Sequence, residues 1–512
     1  MVREAEGAIP PLDTTTEEKR ALAKVHEIHA QTHVATSAVE AQRHVKLGLA
    51  FLGSAADPEA QNLRAWLWME AGSPFGIDAE AVRTLERLAE TPGLKPPVLV
   101  WIGIRAAEQM ARRGDLRRAA VRLESAATVT TLDANGGRVI FHARSRVARL
   151  AGRFDEAAHL HDEAIALFGP SPAPSSEEDR ARLARLRGDI EDARDILRPL
   201  REAPDAPASV ERLWLDLELD LGRVKVALQG LETALDRAAA AKHDKTLYDT
   251  ARAYVEALTR AHEAEALGPT DLATADGLLA VAKSAAVAIA RDEVPWYRVL
   301  FGGLAADLRM LPDAGLRGDA ATMLEVEWRK AVAEWPEAAP PLSRALVHAL
   351  MARGRTLDAV RTLDDAIPDA IAQRHLRELA RLAAARVALL VRTMEPESTV
   401  CAALDEMRLV LDEADAPRLR ADTLLELAKL LPDASTQPDP VRLLEEATEL
   451  YGDMPMPAMQ ARGLEMLGDL FRARGARRHA AMRYLAAHSL LAKHDLQLRI
   501  PLLRRKSGIT AA

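Results

Sequence analysis

Apolar residues along this chain recur at three- and four-residue spacings, the period that lines one face of a helix. The periodic runs stop at Pro- and Ser-rich breaks, GPSPAPSSEED, EAPDAPAS, EWPEAAPPLS and DASTQPDPV. These breaks are too short to serve as disordered linkers between separate domains. Helix starts are marked as well. Thr15 with Glu18, and Ser175 with Glu178, have the residue types and spacing of a capping box.

A longer period lies over the helical one. In GRFDEAAHLHDEAIALFGP, Gly152 is followed by Ala157 and Ala164. The same frame gives Gly114, Ala119, Leu123 and Ala126; Gly222, Ala227, Leu231 and Ala234; Gly354, Ala359, Leu363 and Ala366; Gly475, Ala480, Tyr484 and Ala487. Weaker copies start at Gly76 and Gly188. Successive glycines from Gly76 to Gly222 are 38, 38, 36 and 34 residues apart. Five units in phase carry weight that a single Gly-x4-Ala match lacks. Physically, glycine suits a turn between helices that needs positive φ. The alanine five residues later lets the second helix cross the first at close range.

This pattern resembles the tetratricopeptide repeat family, in a degenerate form. The unit LEMLGDLFRARGARRHAAMRYLAAHSLLA carries Leu467, Gly468, Phe471, Gly475, Ala480, Tyr484 and Ala487 at the family's signature positions. The unit with Phe141, Gly152, Ala157 and Ala164 matches too, with Arg144-Ser145 in place of the Leu-Gly pair. The likeness covers about 60–240, 343–370 and 455–495; over 240–340 and 370–450 the phasing is lost, and helical hairpins of about 40–45 residues are expected. The resemblance implies an all-α fold, a right-handed α-α superhelix (solenoid) of antiparallel helix hairpins. The expected division is a flexible segment at 1–13, a first array at 14–240, degenerate hairpins at 241–342, a second array at 343–498, and a basic C-terminal tail at 499–512. A kink is expected near 268–275 or 334–343.

Composition narrows the function. Of 512 residues, 48% are hydrophobic and only 4% aromatic, so Ala and Leu carry the core, as in packed helices. A net charge of −8 argues against a general nucleic-acid binder. The excess of Arg over Lys and the abundance of Ala point to a GC-rich bacterial genome. The single cysteine, Cys401, cannot form an intramolecular disulfide and reads as a core residue. The first residues lack the apolar stretch of a signal peptide, and no run of about 18 apolar residues occurs. A cytoplasmic protein is expected.

Chemical motifs are scarce. KVHEIHAQTHVA places His26, His29 and His33 within about 60° of one another on a helix. His26 and His29 are the candidates for a metal site, but Ala30 stands where a zincin has Glu. With Ala21, Val25 and Ile28 read as the buried stripe, the favoured reading is a solvated shoulder of the first helix. His161 occupies a packing position of its repeat. No phosphate loop or nucleophile elbow occurs, so no catalytic residue and no cofactor are expected. Trp66 and Trp101 are candidate peptide anchors. Arg474, Arg477 and Arg478 form a basic turn that suits an acidic partner. The resemblance also suggests a Lys/Asn/Arg clamp for acidic C-termini, but Glu465, Asp469, Ile104 and Glu108 occupy its positions.

The expected function is a non-enzymatic, protein-binding scaffold or adaptor with a protein or peptide in its concave groove. The alternative is a regulatory or sensory array that binds a peptide or small effector and controls a transcription factor or kinase in trans.

Overall fold

In the computed structural model the described residues run from 15 to 257 and from 322 to 507, less short stretches within those spans, of which 330–338 is the longest. The expected loose segment 1–13, the repeat glycine Gly76, the kink at 268–275 and most of 241–342 lie outside the described residues. Among the described residues every regular element is a helix. None is long and apolar enough to cross a membrane.

The first set of helices is α1 (Thr16–His33), α2 (Ala38–Leu52), α3 (Pro58–Ala71), α4 (Ala79–Ala89), α5 (Pro96–Arg112), α6 (Leu116–Ala127), α7 (Ala134–Ala151), α8 (Phe154–Phe168), α9 (Pro174–Arg187), α10 (Ile190–Glu202), α11 (Ala208–Asp220) and α12 (Val224–Ala240). The second set is α13 (Ala339–Ala352), α14 (Thr356–Ala372), α15 (Leu376–Arg392), α16 (Glu397–Ala414), α17 (Pro417–Leu430), α18 (Pro440–Asp453), α19 (Pro457–Ala473), α20 (Arg477–Lys493) and α21 (Ile500–Ser507). Each helix packs on the next, and the first helices of neighbouring hairpins also touch, so the chain is an α solenoid of tetratricopeptide-like hairpins.

The repeat glycine does what its spacing requires. At the α7–α8 turn Gly152 has φ +82°. Its N–H bonds back to the Arg149 carbonyl at 3.1 Å, and the Arg153 N–H reaches the Ala148 carbonyl at 2.9 Å. That pair of bonds is a Schellman cap, which closes one helix and releases the chain into the next. The alanine five residues on is fully buried at Ala119, Ala157, Ala193, Ala227 and Ala359. Where the phasing is lost, the same cap persists without glycine. Arg374 (φ +51°) ends α14 and Met394 (φ +58°) ends α15. The N–H groups of His375 and Glu395 reach back five residues to Ala370 and Leu390, at 2.9 and 3.0 Å.

The degenerate Arg144-Ser145 pair has a packing reason. A side chain at Gly468 would collide with the Tyr484 ring. In the earlier unit the tyrosine's place is taken by His161, which is buried, and Ser145 Oγ donates to the Ala157 carbonyl at 2.7 Å. The capping box at Thr15 forms, with the Thr15 N–H on Glu18 at 2.8 Å. The one expected at Ser175 does not. Helix α9 already starts at Pro174, and Glu178 turns inward to pair with Arg182 at 2.7 Å and accept from Ser209 at 2.7 Å.

The two sets of helices do not simply follow one another along an open superhelix. Three hairpin turns of the first set are covered by the second. A Cβ on Gly152 would lie 2.7 Å from the Arg377 backbone nitrogen. Gly188 abuts Met454, and Gly222 abuts Ala458 and Leu496. One apolar core spans the seam, joining residues of the first set such as Phe154, Ile190 and Leu217 to Leu382, Leu424 and Tyr451 of the second.

Candidate functional site

Where the two sets meet, their first helices enclose a cleft of about 350 Å³. Its cations come from five helices: Arg149 on α7, Arg182 and Arg185 on α9, Arg212 on α11, Arg377 and Arg381 on α15, and Arg418 on α17. Asp216 and Asp422 supply the acids of the lining; Phe154, Leu186, Leu213 and Leu419 supply its apolar wall. Seven guanidinium groups against two carboxylates give the lining itself an excess of positive charge.

Other acids sit behind the arginines and hold some of them in place. Arg418 grips Asp220 with both terminal nitrogens, at 2.7 and 2.9 Å, and donates to the Arg185 carbonyl at 2.8 Å. Arg185 reaches the same Asp220 at 2.5 Å and Asp216 at 3.0 Å. Bidentate pairing of this kind fixes a guanidinium plane. Burial works against the charge on Arg418, and Asp220 more than offsets it. Asp179 serves three arginines, Arg146 at 2.8 Å, Arg182 at 3.1 Å and Arg149 at 3.4 Å. These hold its carboxyl below the usual range despite burial.

Three lining arginines are less well matched. Arg149 has only the 3.4 Å approach to Asp179. Arg381 has a 3.9 Å approach to Glu378, an acid that also faces Arg344 at 3.5 Å. Arg377 makes no hydrogen bond or ion pair among the described residues. The neighbouring Arg381 and then burial bring Arg377 down to about 10; burial, with Arg182 and Arg146 nearby, does the same to Arg149 against the pull of Asp179. Both remain charged at neutral pH. The lining contains no histidine, cysteine, serine or lysine, and its guanidinium groups suit the binding of an anion.

The sequence-selected residues fall elsewhere. His26 and His29 are not on a solvated shoulder. His26 is 3% exposed and His44, from α2, is 5% exposed; their Nδ1 atoms lie 2.9 Å apart in a hydrogen bond. His29 stacks on the His44 ring. The reading failed because the buried stripe of α1 is Ala23, His26, Glu27 and Ala30, whereas Val25 and Ile28 are 44% and 52% exposed. Burial first, then His44 and His29, brings His26 down to about 4, so it is neutral at physiological pH. The described part of α1 and α2 forms no cluster of three ligands able to hold a metal ion.

Trp66 and Trp101 stand 6.4 Å apart, half-buried on the core of α3–α7. Arg474, Arg477 and Arg478 are exposed at the α19–α20 turn, where Arg474 pairs with Asp439 at 3.0 Å. None of these residues lines the cleft. Part of the basic segment expected as a tail is α21, with Ile500 and Leu503 buried and Lys506 bonded to Glu465 and Asp469 at 2.7 and 2.9 Å. The cleft itself had one visible sign in the sequence. Arginines precede two successive repeat glycines by six and three residues: Arg146 and Arg149 before Gly152, Arg182 and Arg185 before Gly188. The contribution of α15 and α17 had none, because those helices carry no phased glycine.

No family model matches the chain. No curated protein matches it either. Among solved structures it is similar to Rap protein complexed with competence and sporulation factor, at 12% identity and TM-score 0.40, over 94% of this chain and 99% of that one. It is also similar to the APC/C hetero-tetramer Cut9–Hcn1, at 11% identity and TM-score 0.33, over 96% of each chain. A third is IFIT1 with Gppp-AAAA, at 14% identity and TM-score 0.32, over 77% of this chain and 87% of that one. None is similar enough to hand on a ligand or a partner.

Proposed function

We propose that this chain is a non-enzymatic scaffold of a bacterial cytoplasm that holds an acidic segment of a partner protein between its two sets of helices. The arginine-lined cleft carries this reading: seven guanidinium groups, contributed by the first helices of hairpins far apart in sequence, around about 350 Å³ of space. The volume admits a few side chains rather than a folded domain. The planar guanidinium fork suits carboxylates above other protein groups. The bacterial setting is supported by composition, with its excess of Arg over Lys and its abundance of Ala.

The test is binding of fluorescein-labelled glutamate-rich peptides, read by anisotropy, against lysine-rich peptides of equal length. Acidic peptides should bind and weaken as salt rises. Arg212→Gln with Arg381→Gln should lower affinity at least about tenfold, since hydrogen bonds to charged groups contribute about 1.5–3 kcal/mol each. Equal binding of acidic and basic peptides, or none of either, would overturn the reading.

A further inference from the structure

The arginines of the cleft divide into two groups. Arg182, Arg185, Arg212 and Arg418 already hold carboxylates at 2.5–3.2 Å, Arg418 across the seam between the two sets. Arg149 is held only by a long bond of 3.4 Å to Asp179 and Arg381 approaches Glu378 no closer than 3.9 Å, each acid lying closer to another arginine, and Arg377 has no ion pair among the described residues. One carboxylate of a ligand brings a single charge and two oxygens, enough for one fork. Three guanidinium groups that line one cavity from α7 and α15 suit a ligand with more charge and more oxygens on one centre. A phosphoryl group brings a charge of about −1.5 to −2 and three strong acceptor oxygens. The backbone is built for the approach of these two helices: the α7–α8 turn at Gly152 seats directly on Arg377, and Arg149 and Arg377 line the same cavity.

We propose that Arg149, Arg377 and Arg381 form a phosphoryl-binding site, so that the scaffold takes its partner segment through a phosphorylated side chain. This rests on the reading of the cleft as a protein-binding site and specifies the group it selects.

Calorimetry on the full chain tests it with two peptides of one sequence, a serine flanked by glutamates, phosphorylated in one and replaced by glutamate in the other. At pH 7.5 the phosphopeptide should bind at least about tenfold tighter. The advantage should shrink below about pH 6, where phosphate takes up its second proton. Arg377→Gln should weaken the phosphopeptide more than the glutamate peptide and so cut the advantage to about threefold or less; Arg377→Lys, which keeps the charge and loses the fork, should retain part of it. Melting curves check that both variants fold. Equal affinity for the two peptides overturns the phosphoryl site and leaves the acidic-segment reading standing. Failure of both peptides to bind overturns both. Inorganic phosphate binding as tightly as the phosphopeptide upholds the phosphoryl chemistry and overturns the protein segment as its source.

Discussion

At the scale of single residues, the buried histidines give the chain a defined response to acid. His26, His142 and His348 are each brought down to about 4, with burial the largest cause in every case. A histidine kept neutral in the fold takes up a proton more readily when unfolded. Its contribution is therefore present above the ordinary value of about 6.5, is lost as pH falls from there, and stops falling below about 4. The melting temperature should drop steadily from pH 7 to pH 4. His26→Gln, which stays neutral throughout, should fall less steeply over that range; identical slopes for variant and wild type would remove His26 from the account. The sequence showed His26 in a cluster with His29 and His33 but not which way it faces. The pattern of α1 fits two neighbouring stripes, and His44, which draws His26 inward, lies on the next helix, 18 residues away.

At the scale of the element, most of the fold was legible because one cap recurs. Glycine marks it at Gly114, Gly152, Gly188, Gly222, Gly354 and Gly475, and all six have positive φ. The repeat was lost over 370–450 because Arg374 and Met394 adopt the left-handed conformation in glycine's place, and a sequence pattern has no way to show a conformation its residue types disfavour. The side chain of Met394 is almost wholly exposed, so nothing is lost from the core by removing it. Met394→Gly should stabilise the protein by about 0.5–1 kcal/mol, measured by urea unfolding, the relief of left-handed strain exceeding the entropy of the added glycine. The glycines themselves divide by what they face. Gly475 has open space where a Cβ would go; at Gly152 that Cβ meets the Arg377 backbone. Gly475→Ala should cost about 1 kcal/mol from backbone strain alone. Gly152→Ala should cost about 1–3 kcal/mol more, because the two sets of helices must move apart. Equal costs at the two positions would mean that the seam is not closely packed at that turn.

At the scale of the whole molecule, the fixed point is Asp220. Its side chain is 2% exposed and holds Arg418 across the seam and Arg185 beside it. Asp220→Ala would strip Arg418 of its bidentate carboxylate and leave Arg185 with Asp216 alone. The expected cost is about 3–5 kcal/mol, with proteolysis between the two sets faster than in Arg478→Ala, a variant of an exposed residue away from the cleft. Unchanged stability would show that the seam is held by apolar packing alone. None of this was in the sequence pattern, which reports what recurs along a chain and not which distant turns meet. That meeting also bears on how such a chain can change over generations. An open array gains or loses a unit with little effect beyond its neighbours, since each repeat contacts only the next. Here Gly152, Gly188 and Gly222 must each find its own counterpart in the second set, in the same order along the chain. Deleting or duplicating one unit between them would throw every later pairing out of step and break up the cleft. Copy number is locked within this stretch, and insertions and deletions should be tolerated only ahead of α7 or beyond α20.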